Sequence, residues 1–201
     1  MSLSSRMIIV LTSIGLLSGG LLVGVDILTK ERISLNKQRE IEEAITTVVP
    51  GTKTSEKLYE EKDFTVYGGK NEQGEMLGFA IQAYAAGFQD KILLLVGLNP
   101  SLTKINRLFV IDQKETPGLG AKITSDEAFL KFWENKECTS SLRLRKPPAA
   151  SAAQLSPSEV NTITGATVSS EAVLSCINSS LEKVKKLKAE GKFGGDGKNG
   201  S

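Results

Sequence analysis

The chain has 201 residues, 40 % of them hydrophobic and 24 % charged, and its 25 basic and 23 acidic side chains leave a net charge of +2. This is the composition of a folded protein with a real core, and with no long basic run it gives no electrostatic case for nucleic-acid binding. Histidine is absent, which excludes His-based triads, His-ligated haem and the common zinc sites, so any chemistry here is borrowed from a cofactor.

From Met7 to Val25 no residue is charged, and the apolar run resumes past Asp26 with Ile27 and Leu28. About 20 apolar residues span a bilayer core, so residues 1–28 read as one transmembrane anchor. A cleaved signal peptide is the competing reading, with Ser18 and its neighbouring glycines as small cleavage-site residues. The run exceeds a usual signal core, which favours the anchor. Only Arg6 precedes the span, whereas Lys30, Arg32, Lys37 and Arg39 follow it. By charge alone the body would sit in the cytoplasm. Ile33, Ile41, Ala44, Ile45 and Val48 form a partial helical stripe up to the break at Pro50-Gly51.

A meander of strands is expected next, over Phe64–Tyr67, Met76–Tyr84, Lys91–Leu98 and Lys104–Asp112, with polar turns at 68–74 and at Asn99-Pro100-Ser101. Close spacing without intervening helices makes neighbouring strands antiparallel. The last strand runs into Glu115-Thr116-Pro117-Gly118-Leu119-Gly120. Pro then Gly at its centre favours a type II turn with Gly118 at positive φ, and Gly120 offers close backbone approach to a flat ligand. An ordinary tight connection explains the same residues.

Thr124-Ser125-Asp126-Glu127 has capping-box spacing and predicts a short helix carrying Ala128, Phe129, Phe132 and Trp133. Leu142–Arg145 alternates like a strand, and residues 146–158 form a Pro-, Ala- and Ser-rich loop. A long helix starts near Val168, with Ala172, Val173, Cys176, Ile177, Leu181, Val184 and Leu187 on one face, late lysines suiting its dipole and Gly191 as its stop. Cys138 and Cys176 have no metal-binding spacing and read as small hydrophobes; the sequence does not support a disulfide between them. The expected fold class is α+β: a single N-terminal transmembrane helix, then a mainly antiparallel sheet with packed helices over residues 29–190, then a Gly-rich disordered tail over 191–201.

Thr167 stands at the start of the long helix, in Thr164-Gly165-Ala166-Thr167-Val168-Ser169-Ser170. Its hydroxyl reads either as an N-cap for a first-turn amide or as the bearer of a phosphate ester, since free N–H groups and the helix dipole both suit an anion there.

The ordered pair of motifs, ETPGLG at 115–120 and TGAT at 164–167, resembles the signature of the FMN-binding-domain family that includes RnfG and NqrC. These are subunits of the Rnf and Na+-translocating NADH:quinone oxidoreductase complexes. The membrane helix and the Pro-Gly break near residue 50 extend the resemblance over nearly the whole chain. It implies covalent FMN on the Thr167 hydroxyl, attached by a separate flavin transferase with FAD as donor. Thr164, Gly165 and Ala166 would complete the recognition motif, Ser169 would lie near the phosphate, and Thr116, Pro117, Gly118 and Leu119 would border the isoalloxazine ring. It further implies a redox component of a membrane complex with multi-spanning and iron–sulfur or flavin partner subunits, the G subunit of an Rnf-type complex by the shortness of the chain. Such a complex couples ferredoxin:NAD+ electron transfer to Na+ or H+ movement. The C subunit of the Na+-translocating quinone reductase and a non-redox anchored module with unmodified Thr167 are the alternatives. The resemblance places the folded domain outside the cytoplasm, at the cell (inner) membrane, against the charge count. The chain departs from the family pattern in two ways: Asp112, Gln113 and Lys114 stand where a His is frequent, and Asn161 stands where Asp is usual.

Overall fold

The computed structural model describes residues 2–193. One helix, α1 (Leu3–Val48), opens the chain. Its apolar part is fully exposed and has a mean hydropathy of 2.3, and among the described residues α1 is the one helix long and apolar enough to cross a membrane. Hydroxyls within it are satisfied by its own backbone: Ser13 Oγ donates to Ile9 O and Thr29 Oγ1 to Val25 O, both at 2.8 Å. Nothing after Leu28 breaks the helix, which continues through the expected boundary at 28–29. The chain divides into two compact units between Ile41 and Glu42. Pro50 and Gly51, the latter at φ +86°, end the helical run as expected.

The second unit is built on a six-stranded antiparallel meander in the order β1 (Thr54–Glu61), β2 (Phe64–Lys70), β3 (Met76–Ala86), β4 (Lys91–Leu98), β5 (Lys104–Asp112) and β6 (Lys136–Glu137). Sequence reading missed β1. Half of its residues are charged and only Leu58 and Tyr59 are half-buried, the pattern of a solvated edge strand held by its neighbour's backbone. Its turn into β2 is the two-residue loop Lys62-Asp63, with Asp63 at φ +62°. A further pair, β7 (Arg143–Arg145) and β8 (Glu159–Asn161), is parallel.

Both faces of the central strands are covered. Ile81 and Ala83 of β3 and Ile92, Leu94 and Val96 of β4 share a core with Val173, Ile177, Leu181 and Val184 of α2 (Thr167–Ala189). Alternation sends Leu93 and Leu95 to the opposite face, where they too are buried. The end of α1 sits there, with Ala44, Ile45 and Val48 buried. A Cβ on Gly97 of β4 would fall 2.5 Å from the Val48 carbonyl carbon, so the helix backbone rests directly on the strand. This two-sided burial is why Lys91–Leu98 is nearly all apolar.

The capping-box helix does not form as expected. Two short 3-10 turns, Gly120–Thr124 and Leu130–Trp133, flank a single loose turn. Ser125 is the capping hydroxyl, accepting the Ala128 N–H at 3.2 Å, while Thr124 Oγ1 closes the preceding turn on Ala121 O. Phe129, Phe132 and Trp133 are all buried, and neighbours such as 132 and 133 point about 100° apart on a regular α-helix. The irregular backbone lets all three enter the core.

At the far end Gly191 (φ +68°) closes α2, and Phe193 is buried with its ring edge-on to Phe79 at 5.7 Å. The rest of the expected tail, 194–201, lies outside the described residues. Gly97→Ala in the full-length protein in detergent is expected to lower unfolding free energy by about 1–3 kcal/mol through overpacking against Val48. Chemical denaturation checks this; an unshifted midpoint would mean that the helix end is not seated on β4.

Candidate functional site

β5 delivers the chain to Glu115, which is only 4 % exposed. Its carboxyl group is an acceptor on both sides. Oε2 accepts a hydrogen bond from the Ser169 hydroxyl at 2.5 Å, across 54 positions of sequence, and Oε1 accepts one from the Gln89 N–H at 3.0 Å. Gln89 also donates through Nε2 to Thr116 Oγ1 at 2.9 Å. Three segments therefore converge on one buried group: the β3–β4 loop, the ETPGLG turn and the first turn of α2. The approach is too close for side chains in between. A Cβ on Gly120 would lie 2.6 Å from Glu115 Oε2 and 2.9 Å from Ser169 Oγ, and one on Gly87 would lie 2.5 Å from Glu115 Oε1.

The turn itself forms as the sequence predicts. Gly118 has φ +77° and the Leu119 N–H bonds to Thr116 O at 3.1 Å. Thr116 is half-buried, while Pro117, Gly118 and Leu119 are exposed.

The second motif is a turn locked from below. Asn161 and Thr162 are buried, and Thr162 Oγ1 donates to Arg145 O at 2.7 Å. Asn161 accepts the Ala149 N–H at 2.8 Å and returns a bond to Ala149 O at 3.0 Å. An ionised carboxylate at this position has no donor for the second bond, which gives the departure from Asp a structural reason. Gly165 takes φ +81°, the Ala166 N–H closes on Ile163 O at 3.0 Å, and buried Ser170 staples the turn by accepting the Ile163 N–H and donating to Ala166 O.

Thr167 is not the N-cap. Ala166 occupies that position without a side-chain cap, and Thr167 is the first helical residue. Thr164, Gly165, Thr167 and Val168 are exposed and Ala166 is buried. Ser169 is buried with its hydroxyl committed to Glu115. Among the described residues no partner binds the Thr167 hydroxyl, and none accepts the amides of Thr167, Val168 or Ser169. Three unsatisfied N–H groups at the positive end of a 23-residue helix suit an anion. The motifs touch a second time at Gly165, where a Cβ would lie 3.0 Å from Leu119 Cδ2.

Charges nearby are paired. Glu171, one turn into α2, holds Lys146, and Asp90 holds Lys114 at 3.1 Å. The Lys91 amide and then the Lys114 ammonium keep the Asp90 carboxyl below its ordinary range. Cys138 and Cys176 are free thiols, both pushed up by burial. Among the described residues no cluster of Cys, Asp and Glu could hold a metal ion.

These features fit FMN at its two ends. Free helix amides beside an exposed hydroxyl suit a phosphate, and an exposed Pro-Gly-Leu turn suits a flat, largely apolar ring. The two motifs that the sequence pairs do meet in the structure, but what joins them carried no signal in the sequence. Glu115 was the first letter of a motif without a role, and Gln89 lies in the β3–β4 connection, to which the sequence assigned none.

Comparison with known proteins agrees with the resemblance. Residues 87–182 match the family model of the FMN-binding domain, a span that takes in all three converging segments. The chain is 30 % identical over 118 residues to the G subunit of the ion-translocating oxidoreductase complex of Methanosarcina acetivorans, covering 59 % of this chain and 57 % of that protein. It is 28 % identical over 123 residues to the G subunit of the Na(+)-translocating ferredoxin:NAD(+) oxidoreductase complex of Acetobacterium woodii, covering 61 % and 56 %. To the G subunit of the Pasteurella multocida ion-translocating oxidoreductase complex it is 33 % identical, covering 60 % and 65 %. The chain thus spans less than two thirds of the length of each. Among solved structures, Shewanella oneidensis NqrC superposes with a TM-score of 0.53 at 20 % identity, covering 72 % of this chain and 74 % of that one. The C subunit of the Parabacteroides distasonis Na(+)-translocating NADH-quinone reductase gives 0.51 at 24 % identity, with 62 % of each chain covered. At these identities it is the fold that is shared.

Glu115→Ala removes the acceptor of the buried Ser169 hydroxyl and of the Gln89 N–H, and is expected to cost about 1–3 kcal/mol of stability. In a cycle with Ser169→Ala the two losses should fall short of additivity by about 0.5–3 kcal/mol. Denaturant melts of the four proteins check this, and strict additivity would deny the link.

Proposed function

We propose that this chain, with its FMN-binding-domain match over residues 87–182, is a membrane-anchored electron-transfer protein with one covalent FMN on Thr167. The observation that carries this reading is the state of Thr167: exposed, free of any capping duty, and next to three amides without acceptors. In the attachment step the Thr167 hydroxyl oxygen displaces AMP from the FMN phosphorus of FAD on the flavin transferase. One P–O bond forms, the pyrophosphate P–O bond breaks and the hydroxyl proton leaves. The amides of residues 167–169 would hold the phosphate by donating hydrogen bonds to its oxygens. Thr164, Gly165 and Ala166 form the accessible turn that the transferase reads, while Ser169 acts from below by tying α2 to Glu115.

Thr116, Pro117, Gly118 and Leu119 border the ring, and the Glu115 node holds that turn at a constant place relative to Thr167. The bound isoalloxazine supplies the electron chemistry; the chain supplies attachment, orientation and the field around it. A covalent tether suits a relay at an exposed site, because a reduced flavin held by contacts alone is free to leave.

The assembly we propose is an Rnf-type complex coupling ferredoxin:NAD+ electron transfer to Na+ or H+ movement, with multi-spanning and iron–sulfur or flavin subunits as partners. The names of the three relatives, each a G subunit, support this over the quinone-reductase C subunit. The anchor is α1, and the FMN domain lies on the extracytoplasmic side.

The test is ultraviolet fluorescence of the denatured protein on a gel, from cells that contain the transferase. A fluorescent band is expected from the unaltered chain and none from Thr167→Ala. A band that survives Thr167→Ala would refute the attachment site, and no band from the unaltered chain would favour a plain binding module.

A further inference from the structure

Outside α1, only three large hydrophobic side chains among the described residues are exposed: Phe88 at 70 %, Val168 at 54 % and Leu119 at 47 %. Single exposed apolar residues are ordinary, but these three do not scatter. Each lies on a different one of the three segments that converge on Glu115. Leu119 is in the ETPGLG turn, Val168 follows Thr167, and Phe88 is in the β3–β4 loop between Gly87 and Gln89.

Phe88 is not exposed because its loop is loose. Gly87 N–H bonds to Asp90 O at 3.0 Å, Gln89 is tied to Glu115 and Thr116 by main chain and side chain, and Asp90 is tied to Lys114. Gly87 packs its backbone so close to Glu115 that no Cβ fits. A loop fastened at this many points holds its one aromatic side chain exposed, on a segment bonded directly to Glu115 and Thr116. Exposed apolar groups carried by three segments that meet at one node point to a binding surface there. What they would bind is narrowed by their neighbours, since the patch adjoins the free amides of 167–169. A ligand with a phosphate at one end and a flat aromatic body at the other satisfies both features at once.

We propose that Phe88 contacts the isoalloxazine ring as an aromatic wall of the flavin site, with Leu119 and Val168 completing the apolar surround. This rests on the reading of Thr167 as the FMN attachment point and adds the residue that orders the ring once the phosphate is fixed. Aromatic pairs gain from offset or edge-to-face arrangements beyond the area they bury, so Phe88 favours one ring orientation over free rotation about the tether.

The experiment compares the unaltered full-length flavoprotein with Phe88→Ala and Phe88→Tyr, all matured with the transferase and purified in detergent. Phe88 is exposed, so folding should survive, with far-ultraviolet circular dichroism as the control. Covalent flavin on denaturing gels should be equal in all three. In the native protein Phe88→Ala should lose roughly half or more of the flavin's visible circular dichroism and raise its quenching by iodide about two-fold, with Phe88→Tyr close to the unaltered protein. Equal covalent loading with unchanged dichroism and quenching in Phe88→Ala would overturn the wall while leaving the Thr167 attachment intact, and would assign the patch to a partner protein. Absence of covalent flavin from the unaltered protein would overturn both.

Discussion

The buried carboxyl group of Glu115 is the point on which the site depends. A polar group with so little exposure is costly unless its acceptors are filled, and here they are filled by donors from two distant segments, Gln89 and Ser169. That requirement aligns three pieces of chain that secondary structure alone would leave independent. It also dictates small neighbours, because Gly87 and Gly120 leave no room for a Cβ beside the carboxyl. What faces outward over this node follows from it: the Thr116–Leu119 turn, the start of α2 with Thr167, and Phe88.

Much of this was legible in the residues. The runs Lys91–Leu98 and Lys104–Asp112 became strands with those bounds, because apolar continuity and sharp turn residues mark them without ambiguity. The stripe from Val173 to Leu187 became the buried face of α2 for the same reason. Edge strand β1 was hidden because its pairing is supplied by backbone bonds to β2, and its solvent-facing side chains carry no periodic signal. The segment from Thr124 to Trp133 misled because a capping box describes local preference, whereas burial of three aromatic side chains decided the backbone. In the site the motifs stood out by their residues, but the Glu115 node joins positions tens of residues apart. A hydrogen bond between such positions leaves no trace in spacing.

Thr167 shows how a structure can separate two readings of one residue. A threonine at a helix start is most simply a cap, yet Ala166 takes the cap position and Ser170 performs the local stapling. Released from both tasks, the Thr167 hydroxyl faces solvent beside unsatisfied amides. Asn161 makes a related point in the opposite direction. Its amide, using both donor and acceptor on Ala149, serves the framework beneath the turn and leaves the Thr167 hydroxyl exposed.

We propose that the two motifs form one site that carries FMN on Thr167. Mass spectrometry of peptides from the mature membrane protein tests it most directly, by locating the modified residue. We expect a phosphoester-linked FMN on a peptide containing Thr167, localised to that side chain. Flavin on any other hydroxyl, or flavin released entirely on denaturation, would contradict it.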